Sequence, residues 1–167
     1  PLLPPLPRPL MQRMMSVCVG EPVEDEFIPL LLDQMALEET PRRSERPGRV
    51  PPPKDFHVVV IGAGLSGICA GVKLGEAGYS YTIFDKNENA GGTWWENVYP
   101  GVGVDTPSHF YSFSFAQSPE WNQYHPRGAD MRDYFLSVVD RFDLRKHIEF
   151  ETRVVGCEWD DESQRWT

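Results

Sequence analysis

The chain has 167 residues, 40% hydrophobic and 25% charged, with a formal net charge of −9. That size suits about one globular domain, and the acidic balance argues against nucleic acid or an anionic membrane surface as a partner. No apolar run is long enough to span a bilayer.

The first ten residues are proline-rich and carry neither a charged lead nor an apolar core, so they do not read as a secretory signal. The three cysteines, Cys18, Cys69 and Cys157, are widely spaced and form no C-x-x-C pair. Neither a disulfide framework nor a metal site is expected, and a reducing cytoplasmic setting is the default. Residues 10–19 predict a short helix with Met11, Met14, Met15 and Cys18 on one face. Residues 21–26 read as an acidic turn. Residues 28–37 predict a second helix, with Pro29 tolerated in its first turn and Leu31, Leu32 and Met35 in a core. Residues 40–53, rich in proline, arginine and glycine, read as a linker in which Arg42, Arg43, Arg46 and Arg49 are solvated. The expected organisation is a helical extension at 1–39, a linker at 40–53 and a nucleotide-binding fold at 54–167.

The strongest signal lies at residues 57–67. His57 to Ile61 predicts a strand, almost wholly apolar and β-branched, buried on both faces of a parallel sheet. Gly62, Gly64 and Gly67 follow as G-x-G-x-x-G, the dinucleotide fingerprint in its strand–turn–helix setting. Gly62 permits the tight turn, Gly64 lets backbone approach a pyrophosphate, and Gly67 lets the helix pack on the strand. Residues 65–78 predict that helix, with Gly78 as its stop. Residues 81–85 predict a second strand ending in Asp85, 18 residues after Gly67. A carboxylate there accepts hydrogen bonds from ribose and repels a 2′-phosphate, which favours the adenosine of FAD or NAD over that of NADP.

Residues 87–127 lack regular periodicity but carry many aromatics, so they read as a packed, ligand-covering loop. The adjacent Gly91 and Gly92 permit backbone approach to a cofactor. Thr93 offers a hydroxyl, and Trp94 a flat apolar wall. Asp105 reads equally well as a turn-capping residue or a functional carboxylate. Residues 130–142 predict an amphipathic helix, with Met131, Tyr134, Phe135, Val138, Val139 and Phe142 on its apolar face and Asp130 as N-cap. Residues 148–155 alternate like a strand. Residues 157–160 extend it before a turn at 161–164.

Gly91-Gly92-Thr93-Trp94, Asn97, Tyr99-Pro100-Gly101, Asp105 and Tyr111-Ser112-Phe113-Ser114-Phe115 resemble flavin-dependent monooxygenases, within them the type I Baeyer–Villiger monooxygenases. Gly101-Val102-Gly103-Val104-Asp105-Thr106-Pro107 with His109-Phe110-Tyr111 is most similar to the 4-hydroxyacetophenone monooxygenase group, whose members carry an extra N-terminal helical region. The resemblance is densest over residues 56–115. It implies an α/β fold: a partial Rossmann-type FAD-binding domain, three-layered on a parallel sheet, after a short helical region. The implied cofactors are FAD and NADPH. Gly62, Gly64 and Gly67, with Ala63, Leu65 and Ser66 between them, would hold the FAD pyrophosphate. Asp85 would take the adenosine ribose with Lys86 beside it; many relatives have Glu where Asp85 stands. Gly92, Thr93, Trp94 and Tyr111 would line the flavin side. Val154 would meet the adenine through its backbone, or serve as an ordinary strand residue. Asp105 would lie by the isoalloxazine and pair with an active-site arginine, as the one catalytic assignment.

The implied reaction reduces FAD with NADPH, traps O2 as a C4a-peroxide and turns a ketone into an ester or lactone. The fingerprint F-x-G-x-x-x-H-x-x-x-W, the second glycine motif and the arginine are absent from the sequence, and the resemblance places them beyond Thr167. The chain therefore reads as a fragment, inactive by itself. Exposed apolar positions at 10–37 hint at a homodimer. The alternatives are an N- or S-oxidising flavin monooxygenase and a non-catalytic FAD-fold module. A flavin disulfide reductase is set aside because no cysteine lies between Cys69 and Cys157.

Overall fold

The computed structural model describes residues 6–34 and 50–167. Met35 and the arginines at 42, 43, 46 and 49 lie outside the described residues. The chain divides into two compact units, Pro1–Thr40 with Ser112–Gln117, and Pro41–Tyr111 with Ser118–Thr167.

In the first unit, α1 spans Arg8–Val19 and α2 spans Ile28–Gln34. Helix α1 has a proline in its first turn and stops at Gly20, whose φ of 80° lets its N–H reach the Ser16 carbonyl. Met11, Met15, Ile28 and Leu32 form a buried seam, with Val23 and Leu31 packed against it. The four-residue face expected on α1 narrows to Met11 and Met15, while Met14 is 47% exposed and Cys18 is exposed. A seven-residue partner helix covers one seam and no more. The intervening turn is pinned by side chains. Gln12 Nε2 donates to the Val23 carbonyl and to Asp25 Oδ1, each at 2.8 Å. Ser16 Oγ accepts the Val23 N–H. A 3-10 turn, Ser114–Ala116, also belongs to this unit, where the Phe113 and Phe115 rings stack at 4.9 Å.

The second unit is built on a parallel sheet in the order β1-β2-β3: His57–Ile61, Ser80–Phe84 and Ile148–Glu149. Helix α3, Leu65–Ala77, packs on β1 and β2. Ile68 and Val72 are buried on it. Gly71 lets it settle close, since a Cβ there would stand 3.0 Å from Ile83 Cδ1. Gly78 ends it in the left-handed region, as predicted. Strand β1 departs from expectation. It is not buried on both faces. Val58 and Val60 are half-buried, but Val59 is 54% and Ile61 61% exposed. Helix α3 covers the face bearing Tyr81 and Ile83, and among the described residues nothing buries the opposite one. On that open face the His57 ring nitrogens sit 2.7 Å from Ser80 Oγ and 3.0 Å from Thr82 Oγ1.

Besides the 3-10 turn at Ser114–Ala116, the segment between β2 and the next long helix holds one α-helical turn, α4 (Thr93–Glu96), and an isolated bridge, Gly103 to Arg127. Helix α5, Gly128–Arg141, buries Met131, Tyr134, Phe135, Val138 and Val139 and packs on α3 and α4. It starts two residues before the predicted position. Asp130 is therefore not the N-cap; from inside the first turn its Oδ2 accepts the Arg127 N–H at 3.0 Å. The strand predicted over 148–155 stops after Glu149, because Glu151 takes a φ of 52°. The chain still tracks β2. The Asp85 N–H donates to the Glu149 carbonyl at 3.0 Å, and the Thr152 N–H to the Asp85 carbonyl at 2.8 Å. Strands β4 (Trp159–Asp160) and β5 (Arg165–Trp166) close an antiparallel hairpin.

Gly67 is the tightest packing position. A Cβ there would fall 1.8 Å from the Gly62 carbonyl oxygen. Gly67→Ala is expected to destabilise by about 3 kcal/mol, the upper end of overpacking costs. Gly75→Ala, on the same helix, meets nothing nearer than the Tyr81 hydroxyl at 3.7 Å and is expected to stabilise by up to about 1 kcal/mol. Urea midpoints of the two variants check the pair. Equal midpoints would remove the close approach as a constraint.

Candidate nucleotide-binding site

Two glycine turns meet at the carboxyl end of the sheet. Gly62 leaves β1 with a φ of 95°, and its N–H donates to the Phe84 carbonyl at 2.7 Å. The next residue is clamped through both of its backbone polar atoms. The Ala63 N–H donates to Asp85 Oδ2 at 2.6 Å, and the Ala63 carbonyl accepts the Gly91 N–H at 2.9 Å. Gly91 and Gly92 have φ of 134° and 54°. A Cβ on Gly92 would stand 2.8 Å from Gly64 Cα, so Gly92 must stay bare for the second turn to touch the first. Gly64 precedes α3 and has no side chain to cap it. The first-turn N–H groups of Leu65, Ser66 and Gly67 are left without intrahelical partners at the positive end of the helix.

That helix end opens on a groove of about 350 Å³. Gly62, Gly64, Leu65, Ser66 and Gly67 form one side; Gly92, Thr93, Trp94 and Tyr111 form the other. Trp94 is buried and meets Tyr111 edge to face at 5.8 Å. A second groove of about 240 Å³ shares Gly62, Gly64 and Gly92 and runs past Asp85, Lys86, Glu96, Arg153 and Val154. Ala63 is fully buried under the turn and lines neither groove. Asp105 also lines neither. It is exposed, and the Thr106 hydroxyl donates to its Oδ1 at 3.3 Å.

Asp85 is only 4% exposed. Its Oδ2 holds Ala63 and its Oδ1 accepts the Asn87 N–H at 2.8 Å, so both oxygens already fasten backbone. Sequence reasoning missed two neighbours in the second groove. Glu96 Oε1 accepts from Asn87 Nδ2 at 2.9 Å and pairs with Lys86 Nζ at 2.9 Å. The Asn87 bond, then Lys86, hold the Glu96 carboxyl below its usual range. Arg153 lines the same groove. Neither Glu96 nor Arg153 was singled out in the sequence: Glu96 follows the two tryptophans of the glycine–aromatic segment, and Arg153 falls within the run 148–155 read as a strand. Burial pushes the Cys69 thiol up, and it lies in neither groove.

Asp85→Asn puts an amide N–H2 against a backbone donor. It is expected to cost about 1–3 kcal/mol, read as a lower urea midpoint; an unchanged midpoint would mean the clamp contributes nothing. The Glu96 bonds stabilise fully above its ordinary pKa of 4.5 and are lost as pH falls through the lowered one. A carbon-detected NMR titration should place Glu96 below 4.5 and bring it back up in Asn87→Ala.

Residues 60–127 match the family described as an NAD(P)-binding Rossmann-like domain. An FAD-binding monooxygenase of Aspergillus terreus is 41% identical over 118 residues, covering 68% of this chain and 21% of that protein. A Baeyer-Villiger monooxygenase of Streptomyces coelicolor is 42% identical over 110 residues, covering 65% and 21%. Among solved structures, closed cyclohexanone monooxygenase superposes with a TM-score of 0.62 at 43% identity, covering 65% of this chain and 21% of that one. Oxidized steroid monooxygenase bound to NADP gives 0.64 at 36%, covering 67% and 23%. The chain spans about a fifth of the length of these relatives. By its sequence and by its α/β Rossmann-like fold, the chain belongs to the flavin-dependent monooxygenase family.

Proposed function

We propose that the two joined grooves bind FAD, and that this chain is the FAD-binding portion of an NADPH- and O2-dependent monooxygenase that converts ketones to esters or lactones. The observation that carries the reading is the uncapped N-terminus of α3, opening on a groove between two glycine turns. Three free N–H groups and the positive helix end suit a pyrophosphate. Side chains at Gly64 and Gly92 would fill the space where the two turns approach. Trp94 and Tyr111 give the larger groove aromatic walls that suit a fused ring. Lys86 and the Val154 backbone give the smaller one a place for adenosine. The names of relatives, an FAD-binding monooxygenase and a Baeyer-Villiger monooxygenase, support the same cofactor and reaction class.

When bound, FAD supplies the redox chemistry between NADPH and O2. The chain's residues hold and shield it. The first turn of α3 binds the charged middle, Asp85 keeps the turn in shape, and Trp94 with Tyr111 excludes water from the larger groove. Among the described residues the only hydrogen-bond partner of Asp105 is Thr106. Its role in this reading is that of a positioning residue, pairing with an arginine from another segment that stabilises developing negative charge.

Gly64→Ala tests the cofactor. Gly64 has an extended backbone, and its Cβ would meet Gly92 Cα at an ordinary 3.5 Å, so the variant should fold. The added methyl should weaken FAD at least tenfold, read by quenching of flavin fluorescence. Equal affinity would overturn the reading. Asp105→Ala should leave FAD affinity unchanged and slow oxygenation in an enzyme that carries the arginine. Loss of flavin without a kinetic defect would argue against that role.

A further inference from the structure

Residues 150–154 leave the sheet at its carboxyl edge yet are tied to the segment after β2. The Glu151 N–H donates to the Asn87 carbonyl at 2.9 Å and the Thr152 N–H to the Asp85 carbonyl at 2.8 Å. Arg153 follows directly on this fastened backbone and lines the smaller groove. Its groove neighbours Ile61, Phe84 and Val154 are apolar, and Gly62, Gly64 and Gly92 offer bare backbone. Of the two acids in that groove, Asp85 fastens backbone with both oxygens, and one Glu96 oxygen takes both Asn87 and Lys86. Arg153 lowers the Glu96 pKa only at a distance. Among the described residues Arg153 has no ion pair or hydrogen bond. An exposed planar cation thus lines a slot whose other walls include apolar side chains and bare glycine backbone, and the Glu96 carboxylate beside it is paired with Lys86.

We propose that Arg153 is a ligand-binding residue whose guanidinium plane stacks on the adenine of the bound dinucleotide, closing the smaller groove from the solvent side. This rests on the FAD reading above and adds a residue that neither the glycine fingerprint nor Asp85 supplies. A guanidinium suits the task because it is flat, permanently charged and weakly hydrated, and it covers a purine face without needing a particular hydrogen-bond pattern. Lysine carries the charge but not the plane.

The experiment titrates FAD, AMP and FMN into the parent chain and into Arg153→Ala and Arg153→Lys, following flavin fluorescence and, for AMP, calorimetry. Arg153 is exposed, so both variants should melt as the parent does. Stacking predicts that both lose FAD and AMP affinity by about five- to a hundredfold. FMN, which lacks adenosine, should bind all three chains equally. Parental FAD affinity in Arg153→Lys would show a charge contact to phosphate and overturn the stacking. Parental affinity in Arg153→Ala would overturn any contact while leaving the FAD reading intact. A parent chain that binds neither FAD nor AMP would bring down the FAD reading and this inference together.

Discussion

A single buried residue organises the second unit. Ala63 is gripped by the Asp85 carboxylate on its N–H and by the Gly91 N–H on its carbonyl. Ala63 is wholly buried, so neither polar atom has water as an alternative, and losing either partner leaves an unpaired buried group. The clamp draws three separate segments together: the turn after β1, the end of β2, and the glycine pair before α4. Because Gly92 lies against Gly64, and Gly91, at a φ of 134°, lies against Trp95, the pair can carry no side chains. Everything that lines the grooves inherits its position from this junction. Trp94 and Thr93 follow directly on Gly92, and Leu65 and Ser66 follow directly on Gly64.

Asp85 shows how one carboxylate can answer a structural need at the place where a ligand-binding acid is expected. The expected acid at the end of β2 is present, at the expected spacing. Its short side chain turns inward to two backbone donors and leaves Lys86, Glu96 and Arg153 as the other charged groups on the groove wall. The charge balance of that wall is thus set by three longer side chains. Two of them neutralise each other, and the third stays available.

The legible part of the fold was the part written in local periodicity. The β-branched run of β1, the glycine turn, the small-residue helix α3 and the apolar spacing of α5 each announce themselves within a dozen residues. What was not legible depended on partners far along the chain. The exposure of Val59 and Ile61 follows from what covers a sheet face, which no strand pattern contains. The early end of β3 follows from a left-handed Glu151, a residue with no turn signature. Asp130 looked like a cap because it opens a run of good helix formers; the bridge between Gly103 and Arg127 delivers the chain two residues sooner. The site followed the same division. The glycines and Trp94 were visible as a motif, whereas the link between Gly91 and Ala63, and the grouping of Glu96 with Lys86 and Asn87, arise only after folding.

The edge-to-edge join of β1 and β2 has a further property. His57 lies between two hydroxyls of the neighbouring strand, one on each ring nitrogen. A hydroxyl can donate to a bare nitrogen or accept from a protonated one simply by rotating its hydrogen. Ser80 and Thr82 therefore satisfy whichever tautomer the ring adopts. The lateral tie between the strands that carry the glycine turn does not depend on which nitrogen bears the hydrogen.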